Sequence, residues 1–167
     1  MSVATIYEGW QRAQTVLIHG VRRLGPQELQ LRASPDGWPI WAIASHIAGA
    51  RVYWLCAVFK EPGAETTPFR DPAGEGWEDH LDVPRRSDEL AHALESSWQI
   101  VESCLGRWTP EMLGETFTRE RAGELQRHSR HSVLTRLVMH DAFHCGEISS
   151  LLGANGLPSM DPWEPVT

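Results

Sequence analysis

Apolar residues recur at helical spacing in four stretches of this 167-residue chain, and glycine or proline closes each stretch. The first runs from Val3 to Leu24, with Ile6, Trp10, Ala13, Leu17 and Val21 on one face and Gly25-Pro26 beyond it. The second opens at Pro39, a residue suited to a first helical turn, and carries Ile40, Ile43, Ile47, Trp54 and Val58 in one stripe as far as Phe59. Ser87-Asp88-Glu89 supplies an N-cap and an acidic first turn for the third, which reaches Trp108 before Thr109-Pro110 stops it. The fourth spans Ser132 to Leu152, with Gly153 and Asn155-Gly156 as a left-handed stop and a Pro-rich tail from Leu157 onward. Between the second and third helices, Pro62, Gly63, Pro68, Pro72, Gly74, Gly76 and Pro84 forbid continuous helix from Glu61 to Arg86. A connection this long needs its own anchors, for which Phe69 and Trp77 are the candidates. Between Leu113 and Arg127 the alternation in "ETFTRERAGELQR" is compatible with a short hairpin. Four helices of about twenty residues, one long connection and little strand predict an all-α four-helix bundle forming a single domain over residues 1–167.

The net charge of −7, with glutamates interleaved among the arginines between Arg119 and Arg136, leaves no basic stripe for phosphates, so nucleic acid is not an expected partner. No apolar run approaches the ~18 residues of a membrane span, and "MSVATIYEGW" lacks the layout of a secretory signal. A soluble cytoplasmic protein is expected. Cys56, Cys104 and Cys145 are widely spaced without a CxxC, which argues against a disulfide framework or a thiolate zinc site and for small buried apolar residues. Eight tryptophans in so modest a bundle suggest a buried subunit face, hence a homodimer.

The segment "VMHDAFHCGEI" puts His140 and His144 in an apolar run. At about 100° per residue His144 lies about 40° from His140, and Val133, Leu137, Ile148 and Leu151 fall at about 20–80° on the same wheel. The pair therefore faces the core, where an i, i+4 histidine pair can converge on one ion. In "WAIASHIAGARVYW", His46 sits at the edge of the apolar stripe, and Ala42 and Ala50, one turn to either side, leave room for a metal and a small-molecule substrate. Any one of these side chains alone reads as a core or boundary histidine. Together, three imidazoles from two helices make the ligand set of an open divalent-metal site, one that accepts zinc, nickel and other ions. His19, His80, His92, His128 and His131 lie off this face or in loops. Glu147, at about −20°, is placed to act as an outer-sphere base, to hydrogen-bond a ligand imidazole, or simply to line the rim. Asp141, at about 100°, is placed either against an imidazole N–H from a neighbouring helix or in an inter-helix or subunit-interface contact. Cys145 projects further round and is not expected to be a nucleophile.

"WAIASHIAGARVYW", followed about ninety residues later by "HDAFHCGEISSLLGANGLP", resembles the DinB-like family, also described as DinB/YfiT-like metalloenzymes, over essentially the whole chain. The resemblance implies a four-helix bundle with one histidine on the second helix and an HxxxH pair on the fourth, positions matched by His46, His140 and His144. Some relatives use a low-molecular-weight thiol such as mycothiol or bacillithiol. The implied activity is thus a metal-dependent transferase acting with such a thiol. The alternatives are a metal-dependent hydrolase and a non-catalytic, stress-associated metal-binding protein.

Overall fold

In the computed structural model, which describes residues 2–161, the first expected helix is broken at Tyr7. Tyr7 takes φ −110°, ψ 18°, which ends a short turn α1 (Val3–Ile6) and lets α2 (Glu8–Arg22) start afresh. The second expected helix is α3 (Ile40–Val52), continued to its expected end by a π-helical turn over Tyr53–Val58. Lys60, at φ 61°, closes it, and the Glu61 amide donates back to the Leu55 carbonyl at 2.9 Å. Helix α4 (Ser87–Arg107) caps one residue earlier than Ser87: the Arg86 amide donates to the Glu89 carboxylate at 3.0 Å. Helix α5 (Arg130–Ala154) begins ahead of Ser132, because Ser129 accepts the Ser132 amide at 3.1 Å. Its stop is Gly156, at φ 71°, and not Gly153, which stays helical while Leu157 N–H reaches the Leu152 carbonyl.

Helix α4 packs on α3 and α2, and α5 packs on the same two from the other side. Contacts give the directions. Trp10 meets Trp98 and Gln14 meets Leu94, so α2 and α4 are antiparallel. Arg51 meets Leu94 while Phe59 meets Trp108, so α3 and α4 run parallel. Parallel neighbours cannot be joined by a tight loop: the chain must return along a helix about 30 Å long. This explains the length of the connection before α4. Phe69 and Trp77 do pin it, with their rings 5.3 Å apart, Phe69 against the bare backbone of Gly49, and the Arg85 guanidinium 4.4 Å over Trp77.

The all-α expectation needs correcting. Strands β1 (Thr116–Arg121) and β2 (Glu124–Ser129) pair antiparallel from Thr116↔Ser129 to Arg121↔Glu124, so the chain is mostly helical with one small sheet. The hairpin expected from alternation is this one. Phe117 anchors it on Phe59 at 4.5 Å, while charged residues cover its outer side. Its two-residue loop holds Ala122 and Gly123 at φ 53° and 78°, the pattern of a type I′ turn. Alanine pays a steric penalty there. Ala122→Asn is expected to stabilise the fold by roughly 0.5–1 kcal/mol, read as a higher urea midpoint with an unchanged slope.

Trp10, Trp41, Trp54, Trp98 and Trp108 are core residues, whereas Trp38 is exposed. Trp163 and the rest of the tail from residue 162 lie outside the described residues. The nearer part of that tail is held in place: Ser149 Oγ accepts the Met160 amide at 3.1 Å, and the Met160 side chain lies where a Cβ on Gly20 would stand. Among the described residues no helix is long and apolar enough to cross a membrane.

Candidate metal centre

Helix α3 is apolar on every side, and one charge stands in its midst. Arg51 is 1% exposed and sends Nε and Nη2 to Asp141 Oδ2 at 3.1 and 2.6 Å, Nη2 to Gln14 Oε1 at 2.6 Å, and Nη1 to the Leu94 carbonyl at 3.5 Å. Trp10 Nε1 donates to the same Asp141 oxygen at 2.7 Å. One buried polar knot therefore joins α2, α3, α4 and α5 and fixes how α3 and α5 face each other. Burial alone would raise the Asp141 pKa; the Arg51 charge and the donors around it hold it below the usual carboxylate range. Of the two roles expected for Asp141, the inter-helix contact is the one its Oδ2 makes.

One turn from this knot, α3 and α5 bring His46, His140 and His144 together, with one ligand nitrogen of each within 4.8 Å of the others. Nε2 of His46 and Nε2 of His140 are 3.0 Å apart. Each ring has a carboxylate behind it. Glu78 Oε1 lies 2.7 Å from His46 Nδ1, Glu147 Oε2 lies 2.9 Å from His144 Nδ1, and Asp141 Oδ1 lies 3.9 Å from His140 Nδ1. A carboxylate can only accept, so the Nδ1 atoms of His46 and His144 carry hydrogens, and Nε2 is the atom through which each ring would meet a cation. Burial works to raise the Glu78 pKa, but the hydrogen bonds from His46, its own backbone and Ser45 leave it lowered, so it is an anion. Burial, opposed by the Glu147 hydrogen bond and assisted by the other two imidazoles, holds His144 below its ordinary pKa, so it is neutral at pH 7.

These residues fit a divalent ion. One ring nitrogen from each of three imidazoles lies within 4.8 Å of the others, and a single hydrogen between His46 and His140 cannot satisfy all three. His140 Nδ1 and Asp141 Oδ1, 3.9 Å apart, are both buried without a hydrogen-bond partner, and a cation on Nε2 would hold the ring's hydrogen on Nδ1, on the side of this carboxylate. Carboxylates stand on the Nδ1 side of the rings, an arrangement that polarises the imidazoles toward a cation on the opposite nitrogen.

Glu78 was not legible in the sequence. It sits in a short 3₁₀ turn (Trp77–Asp79) of the long connection, and no helical periodicity links it to His46. Glu78→Ala is expected to weaken metal binding by about 10–100-fold without unfolding the chain, measured by competition with a chromophoric chelator. Glu147 faces the Nδ1 side of His144, behind the ring, where its hydrogen bond fixes the orientation of the imidazole.

A cavity of about 410 Å³ opens beside His46 and His140, walled by Gly49, Ala50, Tyr53, Trp54 and Phe69. Ala50 gives the room expected of it; Ala42 is fully buried in the core and does not. On the other flank of His46 stands Trp38, with ring centres 4.9 Å apart. A second, apolar cavity of about 390 Å³ between α2 and α5 touches none of the three histidines. It does touch Cys145, whose thiol burial pushes up to about 12, which leaves it protonated and unsuited to nucleophilic attack.

A sequence model of the DinB superfamily matches residues 9–148, a span that runs from α2 through all three histidines and Glu147. The chain belongs to the DinB superfamily. A crystal structure of a DinB-like protein from Bacillus cereus shares the fold, with a TM-score of 0.69 and 18% identity over 99% of this chain and 98% of that one. No protein of curated function matches. Within this DinB-superfamily chain, the match places the histidines of α3 and α5 inside the family's span and stops short of the tail that folds back on Gly20.

Proposed function

We propose that this DinB-superfamily chain is a metal-dependent enzyme that holds one divalent ion, zinc or nickel, on His46, His140 and His144 and transfers a low-molecular-weight thiol to a small-molecule substrate. The observation that carries the metal reading is the convergence of three imidazoles, each with a carboxylate at its Nδ1 side. When bound, such an ion supplies a lowered pKa to a thiol or water placed against it. The four long helices serve as a four-helix bundle that presents the ligands from facing helices. Glu78 and Glu147 hold His46 and His144 in one tautomer, and the cavity beside His46 and His140 admits the reactants. That cavity favours chemistry over a purely stress-associated metal-binding role. The thiol part of the reading rests on family resemblance. The unpaired thiols of Cys56, Cys104 and Cys145 suit the reducing cytoplasm. A homodimer belongs to the same proposal, supported by the exposed Met139 and Phe143 of α5, and sedimentation as a monomer at micromolar concentrations would end it.

The test is titration of the cobalt-substituted chain with bacillithiol and mycothiol. A near-ultraviolet thiolate-to-cobalt band that is absent from His144→Ala supports the transferase reading. Metal-dependent ester hydrolysis without any thiol band would replace it with the hydrolase.

A further inference from the structure

The hairpin and α5 bring arginines into the wall of the cavity that also contains His46 and His140. Arg119 on β1 is half-buried and held on three sides: Nη1 donates to the Tyr53 hydroxyl at 3.0 Å, and Nε and Nη2 donate to Gln126 Oε1 at 3.1 and 2.9 Å. Its guanidinium lies 4.2 Å over the Trp54 ring, and that of Arg136 lies 5.1 Å over the same indole. Arg119, Arg121 and Arg136 all line the cavity that contains His46 and His140.

Among the described residues none of the three has a counter-ion, in contrast to Arg22, Arg51 and Arg130, for example, which form ion pairs. The same cavity is also walled by four acids, none of which lies within ion-pair distance of the three arginines. Asp71 accepts the Ala73 amide, Glu75 pairs with His80, Glu78 holds His46 and Asp79 accepts the Gly76 amide. Two cations on one indole repel each other, and their field reaches His128, which burial and then Arg119 and Arg136 hold below its ordinary pKa. Arg119 keeps one N–H on each Nη unused, aimed by a guanidinium that its three hydrogen bonds already immobilise.

We propose that this wall of the cavity is an anion subsite: Arg119 and Arg136 take the carboxylate or phosphate head of a small acid whose apolar body lies along Tyr53, Trp54 and Phe69. Naming that acid as the substrate rests on the triad being the reacting centre, since a molecule held by its anionic head shares the cavity with His46 and His140. The hairpin thereby acquires a purpose: it carries Arg119 into the site.

The test is calorimetric titration of the metal-free chain with benzoate and with inorganic phosphate, for wild type, Arg119→Gln, Arg136→Gln and, as a surface control, Arg86→Gln. Saturable binding of at least one anion is expected, weakened roughly tenfold or more by each of the first two substitutions and unchanged by the third. Tighter benzoate marks a carboxylate substrate, tighter phosphate a phosphate ester. Melting temperature and zinc content of the two variants should match wild type, which separates lost binding from lost fold. No binding of either anion to wild type, or equal binding by all four proteins, would overturn the subsite. Because every titration is metal-free, a chain that binds anions yet takes up no metal would overturn the metalloenzyme reading alone.

Discussion

Asp141→Ala should cost about 3–5 kcal/mol of folding stability, the largest effect expected of any single substitution outside the core apolar residues. The reason is not the lost ion pair itself. Removing the carboxylate strands the Arg51 guanidinium at 1% exposure, with Gln14 and the Leu94 carbonyl as its remaining partners, and takes the acceptor from Trp10 Nε1. Domains of this kind have about 5–15 kcal/mol in total, so the variant should unfold at a far lower urea concentration. Removing both charges, as in Arg51→Met with Asp141→Leu, should recover most of the loss, because an apolar pair leaves no buried charge behind. A loss under about 1 kcal/mol in the single variant would mean that solvent reaches Arg51 and that the knot does not order the four helices. Acid should act along the same route: the Asp141 pKa is lowered in the folded state, so its contribution is present above the unfolded carboxylate range and is lost as pH falls through the folded value.

The helices, the hairpin and the convergence of His46, His140 and His144 were legible because each rests on a period that the residues display directly. The three-histidine group follows from a wheel on α5 and an apolar stripe on α3. The partners of those rings were legible only in part. Glu147 lies within one turn of His144 and could be read, whereas Glu78 reaches His46 from a proline- and glycine-interrupted connection whose path is set by Phe69 and Trp77 packing. Arg51 carries a legible signal of its own, a lone charge in an otherwise apolar helix that calls for a buried partner, but the several charges of α5 hide that the partner is Asp141. The arginine lining of the cavity was hidden for another reason. Arg119 is one of many arginines in a charged hairpin, and only pairing with β2 and contact with Trp54 separate it from its solvent-facing neighbours.

His144→Ala, His140→Ala or His46→Ala should each reduce metal affinity by orders of magnitude, since each removes one of the three nitrogen donors of the cluster. His92→Ala, on α4 and outside the cluster, should leave it unchanged. The same ligands set the pH dependence. His144 titrates below its ordinary value in the fold, so between that value and about 6.5 the unfolded chain binds more protons and the metal-free fold loses stability as pH falls. Protons also compete for the ligands, so added zinc should raise the melting temperature strongly at about pH 7.5 and far less at about pH 5.

The most direct measurement is elemental analysis of the untagged chain after equilibrium dialysis against trace zinc at neutral pH, alongside the three triad variants and His92→Ala. One ion per chain in wild type and His92→Ala, with little or none in the three triad variants, is the expected result. Wild-type protein without bound metal, or triad variants that retain it, would contradict the assignment of His46, His140 and His144 as a metal centre.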